Sequence, residues 1–268
     1  LFNNFPNISF KLDNLKIKEN KEDDSPVIMD VKDIYIGFNL WDILKRNYKL
    51  NSLIIEDGFL DIVIHKDKSV NLLNALKSFD EEKEASDPID FNLEKIKLHN
   101  LDIHKKDEGE NTDLETFIYD AIGGFNIRDK IISGHIDTEF EMNLIDNGDT
   151  TYIKNKHFKL DTDLNLDQKT GLLTVEPSRI TMEHGDFEIV GKIDTKNDFD
   201  LDLKIRGTKP NFDMLIAFAP SDLIPVLERY KNAGNIYLNA IIKGQLVELN
   251  YSGGVEKNRD DVKTIIII

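Results

Sequence analysis

The sequence predicts a mainly β protein, and three observations carry that expectation. Apolar and polar residues alternate strictly in Phe199-Asp200-Leu201-Asp202-Leu203-Lys204-Ile205 and in the stretch from His157 to Leu166. The same period of two recurs from one end of the chain to the other, which marks a sheet with one apolar and one wet face. Helical spacing is confined to a few short stretches between turn-forming residues. A one-sided sheet must cover its apolar face, so the identity of that cover is the functional question.

Phe5 to Ile17 alternates, and Val27 to Phe38 forms a second strand after the polar loop Glu19 to Pro26. Leu40, Ile43 and Leu44 sit at helical spacing, which predicts a short helix over Asn39 to Arg46 with Trp41 packed. Leu50 to Ile55 and Phe59 to His65 read as strands joined by a hairpin turn at Asp57-Gly58. Ser69 to Leu76 reads as a helix capped by Ser69. The acidic stretch 80–88 is the best linker, and it separates an N-terminal β region, 1–79, from a β-meander region, 89–268.

Beyond the linker, Phe91 to His104 and Ile131 to Leu144 read as strands with irregular polar connections. His157 to Arg206 is a meander of antiparallel strands turning near Asp167 to Gly171, His184 to Asp186 and Thr195 to Asp198. A helical insert follows over 212–230, broken at Pro220 and Pro225 and ended by Gly234, before Ile236 to Gly244 returns to strand. Gly253-Gly254 reads as a turn. Phe10 to Ile17 and Ile96 to Ile103 form an internal repeat, each placing an Asn between two Leu, as a bulge would; coincidence between two strand-like octamers explains it equally well.

Composition narrows the function. Of 268 residues, 40% are hydrophobic and 31% charged, which excludes a membrane bundle and a disordered chain. The 34 basic residues face 50 acidic ones, for a formal net charge of −16. Such a surface repels phosphate backbones and anionic headgroups, so no nucleic acid partner is expected. Cysteine is absent, which excludes disulfides, Cys-ligated zinc and thiol catalysis and suits cytoplasm and periplasm alike. The chain starts at Leu1 with neither a signal peptide nor an apolar span, and it ends on Thr264-Ile265-Ile266-Ile267-Ile268. It reads as a soluble piece of something longer.

No catalytic constellation stands out. The six histidines lack metal-ligand spacing, and His99 and His104 fall on opposite faces of a regular strand. Asp161 to Asp167 imitates the start of a calcium loop, but Leu166 and Leu172 occupy the positions where that loop requires Gly and Glu. Paired carboxylates for glycoside hydrolysis meet only in a fold, and the single Trp argues against a sugar-binding platform. The expectation is a protein that is not an enzyme and takes no metal or cofactor.

Phe5-Pro6-Asn7-Ile8 leads into Val27-Ile28-Met29-Asp30-Val31, then Phe38-Asn39-Leu40-Trp41-Asp42-Ile43-Leu44, Ile54-Ile55-Glu56-Asp57-Gly58-Phe59-Leu60 and Val70-Asn71-Leu72-Leu73. This order of elements resembles the N-terminal region of the AsmA-like family of bacterial envelope proteins. Ser69-Val70 departs from the Gly that many members carry before the Asn-Leu step. Phe187 to Asp194, Phe199 to Leu203, Gly207 and the Asp-Met-Leu segment ending at Gly234 look like the family's C-terminal module.

The resemblance implies an elongated, curved antiparallel sheet with an apolar groove and a few short helices. It also implies a role in moving phospholipid between inner and outer membranes and in outer-membrane homeostasis. By the same resemblance the full-length protein is periplasmic, held to the inner membrane by an anchor helix outside this sequence. An apolar face holds acyl chains without specific polar contacts. Alternation places Phe158, Leu160, Leu164, Leu166, Ile180, Met182, Phe187, Ile189, Ile193, Leu201, Leu203 and Ile205 on that face. The alternatives are a structural or adhesive envelope protein, in which the helical insert fills the concavity as an ordinary core, and a carbohydrate-active β domain.

Overall fold

A computed structural model describes residues 7–22, 24–44, 50–72, 74–75, 92–146, 149–150, 154–196, 200–208, 212–219, 223–230, 236–244, 250–259 and 262–267. The chain is mainly β and forms two compact units, Leu1–Asn126 with Glu139–Thr151 and Ile127–Thr138 with Tyr152–Ile268.

In the first unit β1 (Asn7–Lys18), β2 (Val27–Asn39), β3 (Leu50–Ile64), β4 (Asn92–Asp107) and β5 (Thr112–Arg128) lie side by side in chain order. The neighbours are antiparallel except for β3 and β4, which run parallel from Ser52↔Lys95 to Ile64↔Asp107. The sheet is therefore mixed rather than antiparallel. The acidic stretch 80–88 lies outside the described residues, but the strands on its two sides pair within one unit. A parallel pair needs a crossover. Asn71 begins the short helical part of that crossover and is 1% exposed. Its Oδ1 accepts from the backbone N–H of Val63 and Leu72, while its Nδ2 donates to the Asp61 carbonyl. The helix begins at Asn71 rather than after a Ser69 cap, and the Ser69 N–H donates to Asp67 Oδ1 at 2.9 Å.

Asp57-Gly58 is not a hairpin turn, since β3 runs unbroken through it. Asp57 has φ 57°, and so do, within a few degrees, Asn14 in β1 and Asn100 in β4, with φ 55° and 49°. In register, Leu12, Ile34, Ile55, Leu98 and Ala121 form one ladder, and Leu15, Val31, Gly58, Leu101 and Ile118 form the next. Between them lie the paired polar row Asp13-Asp33-Glu56-His99-Asp120 and, at the positions the pairing skips, Asn14, Lys32, Asp57, Asn100 and Tyr119, of which Lys32 and Asn100 both bond Asp57. Val31 and Ile34, three residues apart, are 1% and 4% exposed, whereas Lys32 is exposed. In β1, β3 and β4 a left-handed residue thus lets the strand place two successive polar residues on the wet face and then return its apolar residues to the protected one, and β2 and β5 keep step with them. For the same reason His99 and His104 share the wet face: His99 meets Asp120, and His104 meets Glu115 and Asp61.

β5 occupies chain that the sequence reads as irregular connection. Its inward residues Leu114, Thr116, Ile118, Ala121, Gly123 and Phe125 change parity where Asn100 does, which hides the period. The helix α1 (Leu40–Leu44) follows β2, and Asn39 Oδ1 accepts from the Trp41 N–H. Trp41 is 53% exposed rather than packed. In the same unit β6 (Ile131–Asp146) continues past Glu139 and is joined by β7 (Asp149–Thr150). There Tyr119 donates to Glu141 and Asn143 donates to Glu115.

The second unit holds β8 (Lys156–Asp167), β9 (Leu172–Met182), β10 (Gly185–Asp194), β11 (Asp200–Gly207), β12 (Ile236–Gly244), β13 (Asn250–Arg259) and β14 (Val262–Ile267), each antiparallel to the next. Gly253 and Gly254 lie within β13, opposite Ala240 and Asn239, and not in a turn. Between β11 and β12 come α2 (Asp213–Phe218), α3 (Ile224–Leu227) and a 3-10 turn over Glu228–Tyr230. Pro220 lies outside the described residues.

Candidate functional site

The candidate site is the apolar face of the second unit, and the register builds it row by row. Phe158 faces Met182; Leu160 faces Ile180, which faces Phe187. Ile189 lies between Ser178 and Ile205, and Ile205 is opposite Ala240. Leu164, Val175, Gly191, Leu203 and Ile242 make one row, and Leu166, Leu173, Ile193, Leu201 and Gly244 make the next. Directly opposed residues share a face, so the structure brings all twelve sequence-derived residues together on one side.

Leu173 and Val175 belong to this face but fall out of step in the sequence. The register shifts in β9 between the pairs formed by Ser178 and Val175, where Glu176 and Pro177 bulge outward and are exposed. Proline has no N–H to give a ladder, so a bulge is where a mid-sheet Pro fits. The Pro itself was the available signal. Thr162 and Ser178, each 3% exposed, place a polar pair beside the shift, with their hydroxyls 2.7 Å apart. Gly191 has φ 155°, and a Cβ there would lie 2.1 Å from the Asp202 carbonyl. The glycine is required by the approach of β11.

Phe158, Met182, Phe187 and Leu203 are buried, while Leu160, Leu164, Leu166, Ile180, Ile189, Ile193, Leu201 and Ile205 are half-buried. The helical segment covers the end of the face where β10 begins, while Leu203 is buried farther along, in the row with Val175 and Gly191. Phe212 and Ile216 form a small core with Ile224, Leu227 and Leu238, and Leu238 lies two residues before Ala240 on the face. Ala217 lies so near Gly185 that a Cβ on the glycine would come within 3.1 Å of the Ala217 methyl. Lys156, 2% exposed, donates from Nζ to the Ala219 carbonyl at 2.9 Å and ties the segment to β8.

The wet face carries charges of alternating sign. Asp161, Arg179, Glu188 and Arg206 follow one another in register, and Arg206 donates to Glu188. Lys192, Asp202 and Lys243 do the same in a second row, with Lys243 Nζ 3.2 Å from Asp202. Exposed cross-strand pairs of this kind contribute at most about 1 kcal/mol each. Asp161 and Asp163 flank His135 at 3.8 and 3.0 Å. Among the described residues no group of three or more His, Asp or Glu is arranged to hold a metal ion, and no helix is long and apolar enough to cross a membrane. No family model matches the chain, and no curated protein matches it.

Proposed function

We propose that the chain is a non-enzymatic component of a bacterial envelope and that the apolar face of the second unit holds phospholipid acyl chains. One observation carries the reading. Twelve apolar side chains adjoin one another across β8 to β11, and eight of them stay half-buried in the protein alone. Acyl chains laid on those eight would be removed from water at about 0.8 kcal/mol per methylene. The resemblance to the AsmA-like family extends the proposal to phospholipid movement between inner and outer membranes, in support of outer-membrane homeostasis. It also supplies the periplasmic, inner-membrane-anchored setting.

The second reading is a structural or adhesive envelope protein, and the burial of Phe158, Met182 and Phe187 at the end that the helical segment covers favours it. Mass spectrometry of solvent extracts from the purified chain separates the two. Copurifying phospholipid supports the acyl-chain site. A lipid-free protein that also leaves a fluorescent fatty acid unbound would sink it.

A further inference from the structure

One side-chain cluster in the first unit joins three separate stretches of chain. Glu19 follows β1, His65 follows β3 and Glu108 follows β4. Nε2 of His65 lies 3.0 Å from Glu19 Oε1, and Nδ1 lies 3.4 Å from Glu108 Oε2. A carboxylate only accepts, so holding both acids requires an N–H on each ring nitrogen, and only the imidazolium has two. The neutral ring keeps one N–H and turns a lone pair toward the other carboxylate.

We propose that His65 is a proton-operated clasp, which ties the ends of β1, β3 and β4 while charged and releases one of them on losing its proton. Backbone bonds bring the acids to the ring: the Glu108 N–H donates to the Ile64 carbonyl at 2.9 Å, and the Glu19 N–H donates to the Pro26 carbonyl at 3.2 Å. The charged groups set against the ring are Glu19 from the β1–β2 loop, Glu108 from beyond β4 and Asp67 from the ring's own turn.

All three charges favour the proton. The His65 pKa is raised, chiefly by the bond to Glu19; burial opposes this, and the bond to Glu108 adds a lesser push upward. A raised folded-state value makes the clasp complete below the ordinary 6.5 and loses it as pH climbs through the folded value. The side chains are partly exposed, so salt weakens the effect without changing its sign.

The test follows the His65 ring by NMR in the full 268-residue chain, together with amide exchange corrected for intrinsic rate, between about pH 5.5 and 8.5. His65 is expected to titrate above 6.5, and lower in Glu19→Gln and in Glu108→Gln than in the unaltered chain. Protection of the Glu19 and Glu108 amides is expected to fall severalfold through that titration, with no such step in His65→Gln. A ring titrating at or below 6.5, or a protection step that survives in His65→Gln, overturns the clasp. Should His65→Gln not fold, a His65 titration left unmoved by Glu108→Gln overturns it as well.

Discussion

Asp57 and Asn100 stand side by side in the parallel strands β3 and β4, both with left-handed backbones, and Asn100 Nδ2 donates to Asp57 Oδ1 at 3.1 Å. Lys32 of β2 reaches the other oxygen of the same carboxylate at 3.3 Å. Asn14, opposite Lys32 in β1, is left-handed too, so three strands depart from extended backbone at one level of the sheet. Asn and Asp tolerate this conformation better than other residues with side chains.

Asn100→Val should therefore cost about 1–2 kcal/mol, the strain of a β-branched residue held at positive φ. Asn100→Gly keeps the backbone free and loses only the bond to Asp57, so its cost should be smaller. Urea unfolding of the two variants checks the order. Equal losses would mean that the hydrogen bond, and not the backbone, is what Asn100 supplies.

That row also explains what the sequence could and could not tell. The two Asn in the octamers Phe10 to Ile17 and Ile96 to Ile103 were legible as interruptions, and they occupy one level of the sheet. The third member, Asp57, was hidden because Asp-Gly also makes hairpin turns, and nothing local separates the two uses. The apolar face of the second unit was legible wherever period two persists. It was lost at Leu173 and Val175, because a bulge at Pro177 shifts parity without altering composition. The parallel pairing of β3 and β4 depends on a crossover and leaves no mark in either strand.

Asn71 is buried with its amide engaged on both sides by β3, accepting from Val63 and donating to the Asp61 carbonyl. Asn71→Ala leaves a backbone N–H and a carbonyl without these partners, each costing about 1–3 kcal/mol where water cannot reach. A loss of about 2–4 kcal/mol in chemical unfolding is expected. Asn71→Asp keeps the acceptor but turns a buried carboxylate oxygen toward the Asp61 carbonyl, and should cost at least as much as Asn71→Ala. A loss below that of an ordinary surface substitution would show that the crossover does not depend on this residue.

Asp167 closes the turn between β8 and β9, where Oδ1 accepts from the N–H of Lys169 at 2.8 Å and of Thr170 at 3.4 Å. These bonds, that from Lys169 first, lower its pKa below the ordinary 3.8. The stabilisation is therefore present above the ordinary value and is lost as pH falls through the depressed one. Asp167→Asn should be less stable than the unaltered chain above about pH 5. The two should converge in strong acid, as followed by thermal melts across the acid range. A stability gap independent of pH would remove the carboxylate from the account.

Ile189 and Val190 are neighbours in β10 and point to opposite faces, while Leu203 lies on the same face as Ile189 but is buried to 8% exposure. If acyl chains lie on this face, Ile189→Asp should abolish fatty-acid binding with a modest fall in melting temperature. A carboxylate at a half-buried position keeps access to water until a lipid tail covers it. Leu203→Asp buries its charge in the protein whether or not lipid is present, and should cost about 3 kcal/mol or more. Val190→Asp, on the wet face at 37% exposure, should change neither binding nor stability. Fluorescent fatty-acid titration and thermal melts of the three variants give the answer together. Ile189→Asp melting as early as Leu203→Asp would show that the face is closed by protein, and the structural reading would then stand in place of the lipid one.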